Sequence, residues 1–306
     1  MTKHILLTGG TGFIGSHLLK TLLNENKKVI LLKRSFSNTW RINELLDDQN
    51  LILKNIDEES LSDIFNQYTI EGILHLSAFS QRAHKSNSVS EMIQSNIEFP
   101  TNLLENSVNN NCKYFINTGS FFEYDLTNPP ICENNKIKPF NLYGSTKIAF
   151  ETLLKYYSLN YDLKCSTLKL FTPYGPKDDV NKIIPYLIIK SIKHEPIHIK
   201  SPTKKLDFIY ITDIMNAYLS LIKNIMQLDD YESFNVGTSI GTSIKDVLNI
   251  IESILGKNND VTYGNVENEE VWCSNDKIKN ILNWNPEINL KTGIKHTINY
   301  YEKVNK

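Results

Sequence analysis

The chain has 306 residues, 41% hydrophobic and 22% charged, with a formal net charge of −1. That supplies a large core for one bilobed domain or two, while near-neutrality without a long basic block argues against nucleic acid as a partner. The four cysteines (Cys112, Cys132, Cys165, Cys273) form no Cys-x-x-Cys pair, the start at Lys3-His4 is unlike a signal peptide, and no apolar run nears the roughly 20 residues that span a bilayer; buried free thiols, no metal site, no membrane contact and a cytoplasmic location are therefore expected.

His4–Thr8 is a short apolar run of β type, and Gly12–Asn24 reads as a helix burying Phe13, Ile14, Leu18, Leu19, Leu22 and Leu23. The turn between them, Gly9-Gly-Thr-Gly-Phe-Ile-Gly15, satisfies two glycine spacings, from Gly9 or Gly10 through Gly12 to Gly15. Glycines permit positive φ and let backbone N–H groups approach a pyrophosphate, and the helix start adds partial positive charge. Gly9, Thr11, Gly12, Phe13 and Ile14 are the expected contacts. Lys28–Leu32 and Leu51–Ile56 are the next strands. Gly72–Leu76 and Tyr114–Thr118 follow, each after a helical segment, and Cys165–Leu170 closes the series. This alternation predicts an α/β fold, a doubly wound parallel sheet of the Rossmann type.

The stretch about twenty residues past the glycine turn selects the dinucleotide. NAD enzymes carry an acid there. Here Leu31-Leu-Lys-Arg-Ser35 has Lys33 and Arg34 instead. A 2′-phosphate carries nearly two negative charges and suits a guanidinium fork, so NADP(H) is the expected cofactor; a solvated basic turn is the alternative.

Tyr143 and Lys147 lie four apart, one helical turn from each other on one face. An ammonium near a phenol favours phenolate, which suits proton transfer near neutral pH. The spacing recurs at Tyr186 and Lys190, read as coincidence. The first copy gains weight from the glycine turn and from Ser120, just past a predicted strand.

After Phe171 the pattern changes. Pro173, Pro176, Pro185, Pro196 and Pro202 break the chain, and βα periodicity returns only at Asp207–Leu221 and Ser243–Leu255. Residues 1–171 and about 207–236 are expected to form the cofactor domain. Residues 172–206 and 237–306 are expected to form a smaller, less regular C-terminal substrate lobe.

Over nearly its whole length the chain resembles the extended short-chain dehydrogenase/reductases, the NAD-dependent epimerase/dehydratase family that acts on nucleotide sugars. The residues that carry the resemblance are Gly9–Gly15, Asn55-Ile-Asp57, His75-Leu-Ser-Ala78, Ser120 four before Tyr124, Tyr143 with Lys147, Phe171-Thr-Pro-Tyr-Gly-Pro176, Leu206–Asp213, Asn235-Val-Gly237 and Trp284-Asn-Pro286. The resemblance implies that Ser120, Tyr143 and Lys147 are catalytic. It places Asn55 and Ile56 against adenine, although Asn55 fills a slot that usually holds an acid. Leu76, Ser77 and Ala78 would flank the cofactor. Ser80, Arg82, Phe121, Phe122 and Thr172 would face the sugar. His84 reads first as a solvated loop residue, and His198 and Lys200 as solvent-facing strand residues; Lys205 reads equally as a diphosphate contact or a surface lysine. Lys169 and Thr172 depart from the family's arginine and asparagine. A homodimer through the Met92–Val108 and Lys147–Tyr157 helices is implied as well.

Within that family, dehydratases carry an Asp-Glu pair directly after the catalytic Ser/Thr, where this chain has Phe121-Phe122. Epimerases that also reduce use a cysteine two residues after the serine, and Phe122 holds that position. A 4-epimerase keeps NAD bound, which Lys33-Arg34 disfavours. What remains is a ketoreductase resembling the CDP-abequose and CDP-paratose synthase type, reducing a 4-keto deoxy nucleotide sugar for surface polysaccharide synthesis. The alternatives are a 4-epimerase and a non-catalytic NADP-binding regulator.

Overall fold

The computed structural model describes residues 2–304 except 82, 84 and 267–269. In chain order its first elements are β1 (Lys3–Thr8), α1 (Phe13–Asn24), β2 (Val29–Lys33), β3 (Leu51–Asn55), α2 (Leu61–Gln67), β4 (Thr69–His75), α3 (Val89–Ile93), α4 (Phe99–Asn109), β5 (Tyr114–Ser120), α5 (Leu142–Asn160) and β6 (Lys164–Leu170). After them come β7 (Thr172–Tyr174), α6 (Ile183–Lys193), β8 (Ile197–Ile199), β9 (Lys205–Tyr210), α7 (Ile211–Asn224), β10 (Tyr231–Val236), β11 (Gly241–Ser243), α8 (Ile244–Leu255), β12 (Val261–Tyr263), α9 (Asp276–Leu282) and α10 (Leu290–Val304).

The chain divides into two compact units. The first comprises residues 1–124, 136–169 and 218–234, and the second 125–135, 170–217 and 235–306. The central sheet has seven strands in the order β10-β6-β5-β4-β1-β2-β3, and the pairs from β3 across to β5 are parallel. Sequence neighbours lie on opposite sides of β1, with β2 on one side and β4 on the other. The crevice at the carboxyl ends of β1 and β4 is thus the topological switch point, where such sheets take ligands. Leu6, Leu7, Val29, Ile30, Leu31, Ile73 and Leu74 are fully buried. Strands covered on both faces need such unbroken apolar runs, which is why they were legible without alternation.

The Met92–Val108 segment is not one regular helix. A π turn over Gln94–Glu98 joins α3 to α4 and directs Asn96 into the interior. Helix α5 begins earlier than the Lys147–Tyr157 reading, because Asn141 caps it by accepting from the Gly144 N–H at 2.8 Å. Tyr143 therefore lies in the first turn of the helix.

In the second unit β9 lies between β11 and β7, antiparallel to the former and parallel to the latter. Residues 125–135 and 170–217 belong to this second unit, and residues 218–234 to the first. Buried Asp207 organises this unit. It accepts from Thr238 N (2.7 Å) and Oγ1 (2.6 Å), Ser239 N (3.0 Å) and Cys273 N (3.3 Å). Asp213 does similar work, accepting from Glu287 N at 3.0 Å while the Trp284 indole donates to its carbonyl at 3.0 Å. All four cysteines are free. Among the described residues no group of His, Cys, Asp or Glu could hold a metal ion, and no helix is long and apolar enough to cross a membrane.

Candidate active site

The glycine turn is sterically compulsory. Gly9 has φ +71°, and a Cβ there would lie 2.6 Å from the Ser77 nitrogen. A Cβ on Gly15 would lie 2.2 Å from the Gly9 carbonyl oxygen. These contacts press α1 onto the turn. Gly12 differs: its only close neighbour is the Gly9 oxygen at 3.2 Å, so its bare Cα borders open space. The first turn of α1 carries no acidic residue. The hydroxyl of Ser77, beside Gly9, is buried without a hydrogen-bond partner. An open cradle, unopposed helix N–H groups and a buried orphan hydroxyl fit a dinucleotide pyrophosphate. Of the expected contacts, Phe13 is buried with its ring edge-on to His17, and Thr11 and Ile14 are half-buried.

Thr8, unremarked in the sequence, fixes this turn to β4. Its Oγ1 accepts from Leu76 N (3.1 Å) and Ser77 N (3.2 Å) and lies 2.9 Å from His75 Nδ1. With two N–H groups already donating to it, the hydroxyl gives its own proton to Nδ1, which leaves His75 protonated on Nε2. Burial, aided by the charge of Lys147, depresses the His75 pKa well below its ordinary value, so the ring is a neutral structural group.

At the end of β2, the Lys33 ammonium donates to Asn55 Oδ1 at 2.8 Å, and the Arg34 guanidinium sits 4.8 Å above the Phe36 ring. Asp57 accepts from Ser35 N at 2.8 Å and Oγ at 2.6 Å, and these bonds hold its carboxyl below the ordinary range. The Lys33–Asn55 bond, between residues 22 apart, is a feature the sequence reading lacked.

Ser120 ends β5, and Phe121–Glu123 continues it as a single 3₁₀ turn. Ser120 Oγ accepts from Phe122 N at 3.3 Å, which leaves its own hydrogen to give. Phe121 and Phe122 stack at 4.2 Å; Phe122 is edge-on to Phe140 at 5.2 Å and to Tyr143 at 6.2 Å. The close approach needs Gly144, whose Cβ would meet the Phe122 carbonyl oxygen at 2.4 Å. The Lys147 ammonium lies 6.0 Å from the Tyr143 ring centroid and donates to the Thr118 carbonyl at 2.9 Å. It is 3% exposed, and burial lowers its pKa to about 8, with Glu123 opposing. Ser120, Tyr143 and Lys147 thus stand in one unit, with the phenylalanines beside the phenol.

Two groups support this arrangement from below. Asn96, on the π turn, accepts from Phe79 N at 2.7 Å and donates to Thr146 Oγ1 at 3.0 Å; Thr146 in turn donates to the Tyr143 carbonyl at 2.8 Å. Lys169 is buried between Glu123 (2.9 Å) and Glu151 (3.0 Å), and Lys155 bridges to Glu151 from the surface at 2.9 Å. Burial pushes Glu123 up to about 7, against the pull of Lys169. Burial also works to raise Glu151, but Lys169 and Lys155 outweigh it and hold it at about 2. Lys169, at the position where the family carries arginine, is consumed in this network.

Of the sugar-side candidates, Ser80 is exposed in the loop after β4, and Arg82 and His84 lie outside the described residues. Thr172 opens β7 in the second unit. Lys205 pairs with Glu270 at 3.0 Å. The second Tyr/Lys pair is used up in packing: Tyr186 accepts from His198 N at 3.2 Å, and Lys190 binds Glu195 at 2.5 Å.

A parallel sheet with its glycine turn at the switch point, and a Ser/Tyr/Lys set on the adjoining strand and helix, define a nicotinamide-dependent enzyme of the short-chain dehydrogenase type. The family model described as the NAD dependent epimerase/dehydratase family matches residues 5–237, and the chain belongs to that family. It is 30% identical to CDP-abequose synthase of Salmonella muenchen, over 99% of both chains. It is 32% identical to UDP-glucuronate 4-epimerase of Thermodesulfobacterium geofontis, over 97% of this chain and 95% of that one. Among solved structures, the Thermotoga maritima UDP-glucose 4-epimerase with UDP-glucose superposes with a TM-score of 0.88 at 26% identity, covering 99% of this chain and 100% of that one. The Bacillus cereus UDP-glucuronic acid 4-epimerase, in complex with UDP-glucuronic acid and NAD, also gives 0.88 at 26% identity, over 99% of both chains.

Proposed function

We propose that the protein reduces a 4-keto deoxy nucleotide sugar to the 4-hydroxy sugar with NADPH. The observation that carries this reading is the pair Phe121-Phe122 at the two positions after Ser120. Elimination of water needs proton-transferring groups there, and benzyl side chains have none. The nearest carboxylate, Glu123, is fully buried beneath the turn and engaged by Lys169 and the Ser120 N–H. The stacked rings instead present an apolar wall beside Tyr143, suited to a sugar that has lost hydroxyls.

Bound at the glycine cradle, a reduced nicotinamide would supply hydride to a carbonyl carbon. Gly9, Thr11, Gly12, Phe13 and Ile14 would hold its pyrophosphate, and Leu76, Ser77 and Ala78 would flank it. Lys33 and Arg34 would neutralise a 2′-phosphate, and Asn55 and Ile56 would border adenine. Ser120 donates a hydrogen bond to the keto oxygen, and Tyr143 delivers its phenolic proton to that oxygen as charge develops on it. Lys147 as a cation stabilises the phenolate left behind and would hold the ribose. Ser80, in the loop after β4, is the proposed sugar contact from the first unit. The full-length likeness to CDP-abequose synthase supports a nucleotide-sugar substrate and a place in surface polysaccharide synthesis. Exposed Ile93, Tyr156 and Leu159 on α3 and α5 support a homodimer through these helices.

A second reading has its own support. Asp57, held ionised near the end of β2, suits the ribose hydroxyls of NAD, and the UDP-sugar 4-epimerases match as well as the synthase does. A 4-epimerase leaves no net change in its cofactor. Incubation with NADPH or NADH and a panel of 4-keto nucleotide sugars separates the two: stoichiometric NADPH loss supports reduction, and interconversion of UDP-hexoses without added cofactor supports epimerisation.

A further inference from the structure

We propose that Phe36 and Asp57 set the choice of cofactor by acting on Arg34: they keep its guanidinium clear of carboxylates and stacked by its face, so that its N–H edge takes the adenosine 2′-phosphate. The proposal rests on the NADPH reading above and adds two positioning residues to it. Arg34 is the first residue after β2, in the stretch where an acid selects NAD and a guanidinium accommodates the 2′-phosphate. A tight turn holds it there. Arg34 N donates to Ser37 Oγ at 3.2 Å, and Ser37 N donates to the Arg34 carbonyl at 3.0 Å. Inside that turn Phe36 is 72% exposed, so its ring is no part of the core, yet Arg34 Cζ lies 4.8 Å from the ring centroid. A guanidinium attracted through its face keeps its in-plane N–H groups for a forked bond to phosphate.

The charges around the turn are arranged to the same end. Lys33 and Asn55 are opposite in the β2–β3 register, and Ser35 and Asp57 meet with the same separation two residues further on. Asp57 accepts at both oxygens, from Ser35 N at 2.8 Å and from Ser35 Oγ at 2.6 Å. Glu58 accepts from Asn55 Nδ2 at 2.7 Å. Both carboxylates of the neighbourhood are thus bound to neutral donors. Lys33 gives its hydrogens to uncharged oxygens, Asn55 Oδ1 at 2.8 Å and the Arg34 carbonyl at 3.3 Å. Among the described residues neither Lys33 nor Arg34 has a carboxylate within ion-pairing distance. Two adjacent cations without counter-ions form a site for an anion. Asp57 keeps it so. Released from Ser35, its carboxylate would be free to pair with the adjoining Arg34, and that ion pair would fill the fork. The same clasp fixes Ser35, which stands between Arg34 and Phe36, and with it the turn that stacks them.

The test is a calorimetric titration of the full chain with adenosine 2′,5′-bisphosphate and with 5′-AMP, which differ only in the 2′-phosphate. Wild type should bind the bisphosphate at least about tenfold more tightly. Phe36→Ala should weaken the bisphosphate by about threefold or more and leave 5′-AMP unchanged, and Phe36→Tyr, which keeps a ring face, should restore it. Asp57→Asn keeps an acceptor for Ser35 without the charge, whereas Asp57→Ala removes both. Asp57→Ala should therefore bind the bisphosphate about threefold or more weakly than Asp57→Asn does. Both side chains are exposed, so the fold is not at stake. Bisphosphate affinity that is equal in wild type and Phe36→Ala, or equal in the two Asp57 variants, overturns the proposal. So does an equal loss of 5′-AMP in Phe36→Ala, which would make Phe36 an adenine contact. A wild type that binds 5′-AMP as tightly as the bisphosphate overturns the NADPH reading, and the proposal with it; failure of the proposal alone shows as a wild-type preference that the variants keep. Neither titration needs a sugar or turnover.

Discussion

Replacing Lys147 by methionine should change stability in a way that depends on pH. The folded chain buries the ammonium and lowers its pKa from 10.5 to about 8. A lowered folded pKa means that the native state holds the proton less tightly than the unfolded chain does. Below pH 8 the folded protein therefore bears the full cost of a buried cation, about 3 kcal/mol for this shift. As pH rises from 8 toward 10.5 the native lysine is neutral while the unfolded one stays charged, and the cost fades. By pH 9.5 about 2 kcal/mol of it is recovered. Methionine has a similar reach and no charge, but it leaves the Thr118 carbonyl without the donor now at 2.9 Å, a loss of about 1–2 kcal/mol at any pH. Lys147→Met should thus be about as stable as wild type, or more stable, at pH 7. Its standing relative to wild type should then worsen by about 2 kcal/mol at pH 9.5. Urea denaturation of both proteins at the two pH values measures this. A difference that does not vary with pH would refute the assignment of Lys147 as a buried cation.

Tyr143→Phe should lower kcat by about 10²–10⁴-fold with the cofactor dissociation constant nearly unchanged, in steady-state kinetics paired with fluorescence titration. Lys169→Met leaves two buried carboxylates facing each other, since both Glu123 and Glu151 lose the ammonium now within 3.0 Å; a thermal melt should show Tm lowered by about 6 °C, from a loss of about 4 kcal/mol. Gly15→Ala drives a methyl against the Gly9 carbonyl, 2.2 Å away, so cofactor affinity should fall more than about tenfold by calorimetry. A variant that binds normally would show that the turn can yield.

What was legible in the sequence was local. The glycine turn is readable because positive φ at Gly9 and the crowding of Gly15 are demands that few other residues meet. The strands are readable because burial on both faces imposes apolar runs. Tyr143 and Lys147 are readable because the helix puts positions four apart together, and Tyr186 with Lys190 shows how little that spacing means without Ser120 and the glycines. What stayed hidden depends on contacts distant in sequence. Glu123 is engaged by Lys169, 46 positions later, and that pairing is not visible in the sequence. Thr8 meets His75 only across the β1–β4 pair. Asn96 sits in a segment with helical periodicity, and the π turn that directs it inward leaves that periodicity nearly intact. β9 and α7 look like another βα repeat, yet β9 pairs with β7 and β11, and residues 170–217 belong to the second unit.

The most direct test of the functional proposal is the initial rate of reduced-nicotinamide oxidation by the purified chain on a 4-keto-6-deoxy nucleotide sugar, with NADPH and NADH compared. The proposal predicts one equivalent of cofactor oxidised per 4-hydroxy sugar formed, and a kcat/KM for NADPH at least about tenfold above that for NADH, as expected if Lys33 and Arg34 bind the 2′-phosphate. Preference for NADH, or interconversion of C4 epimers with neither cofactor consumed, would contradict it.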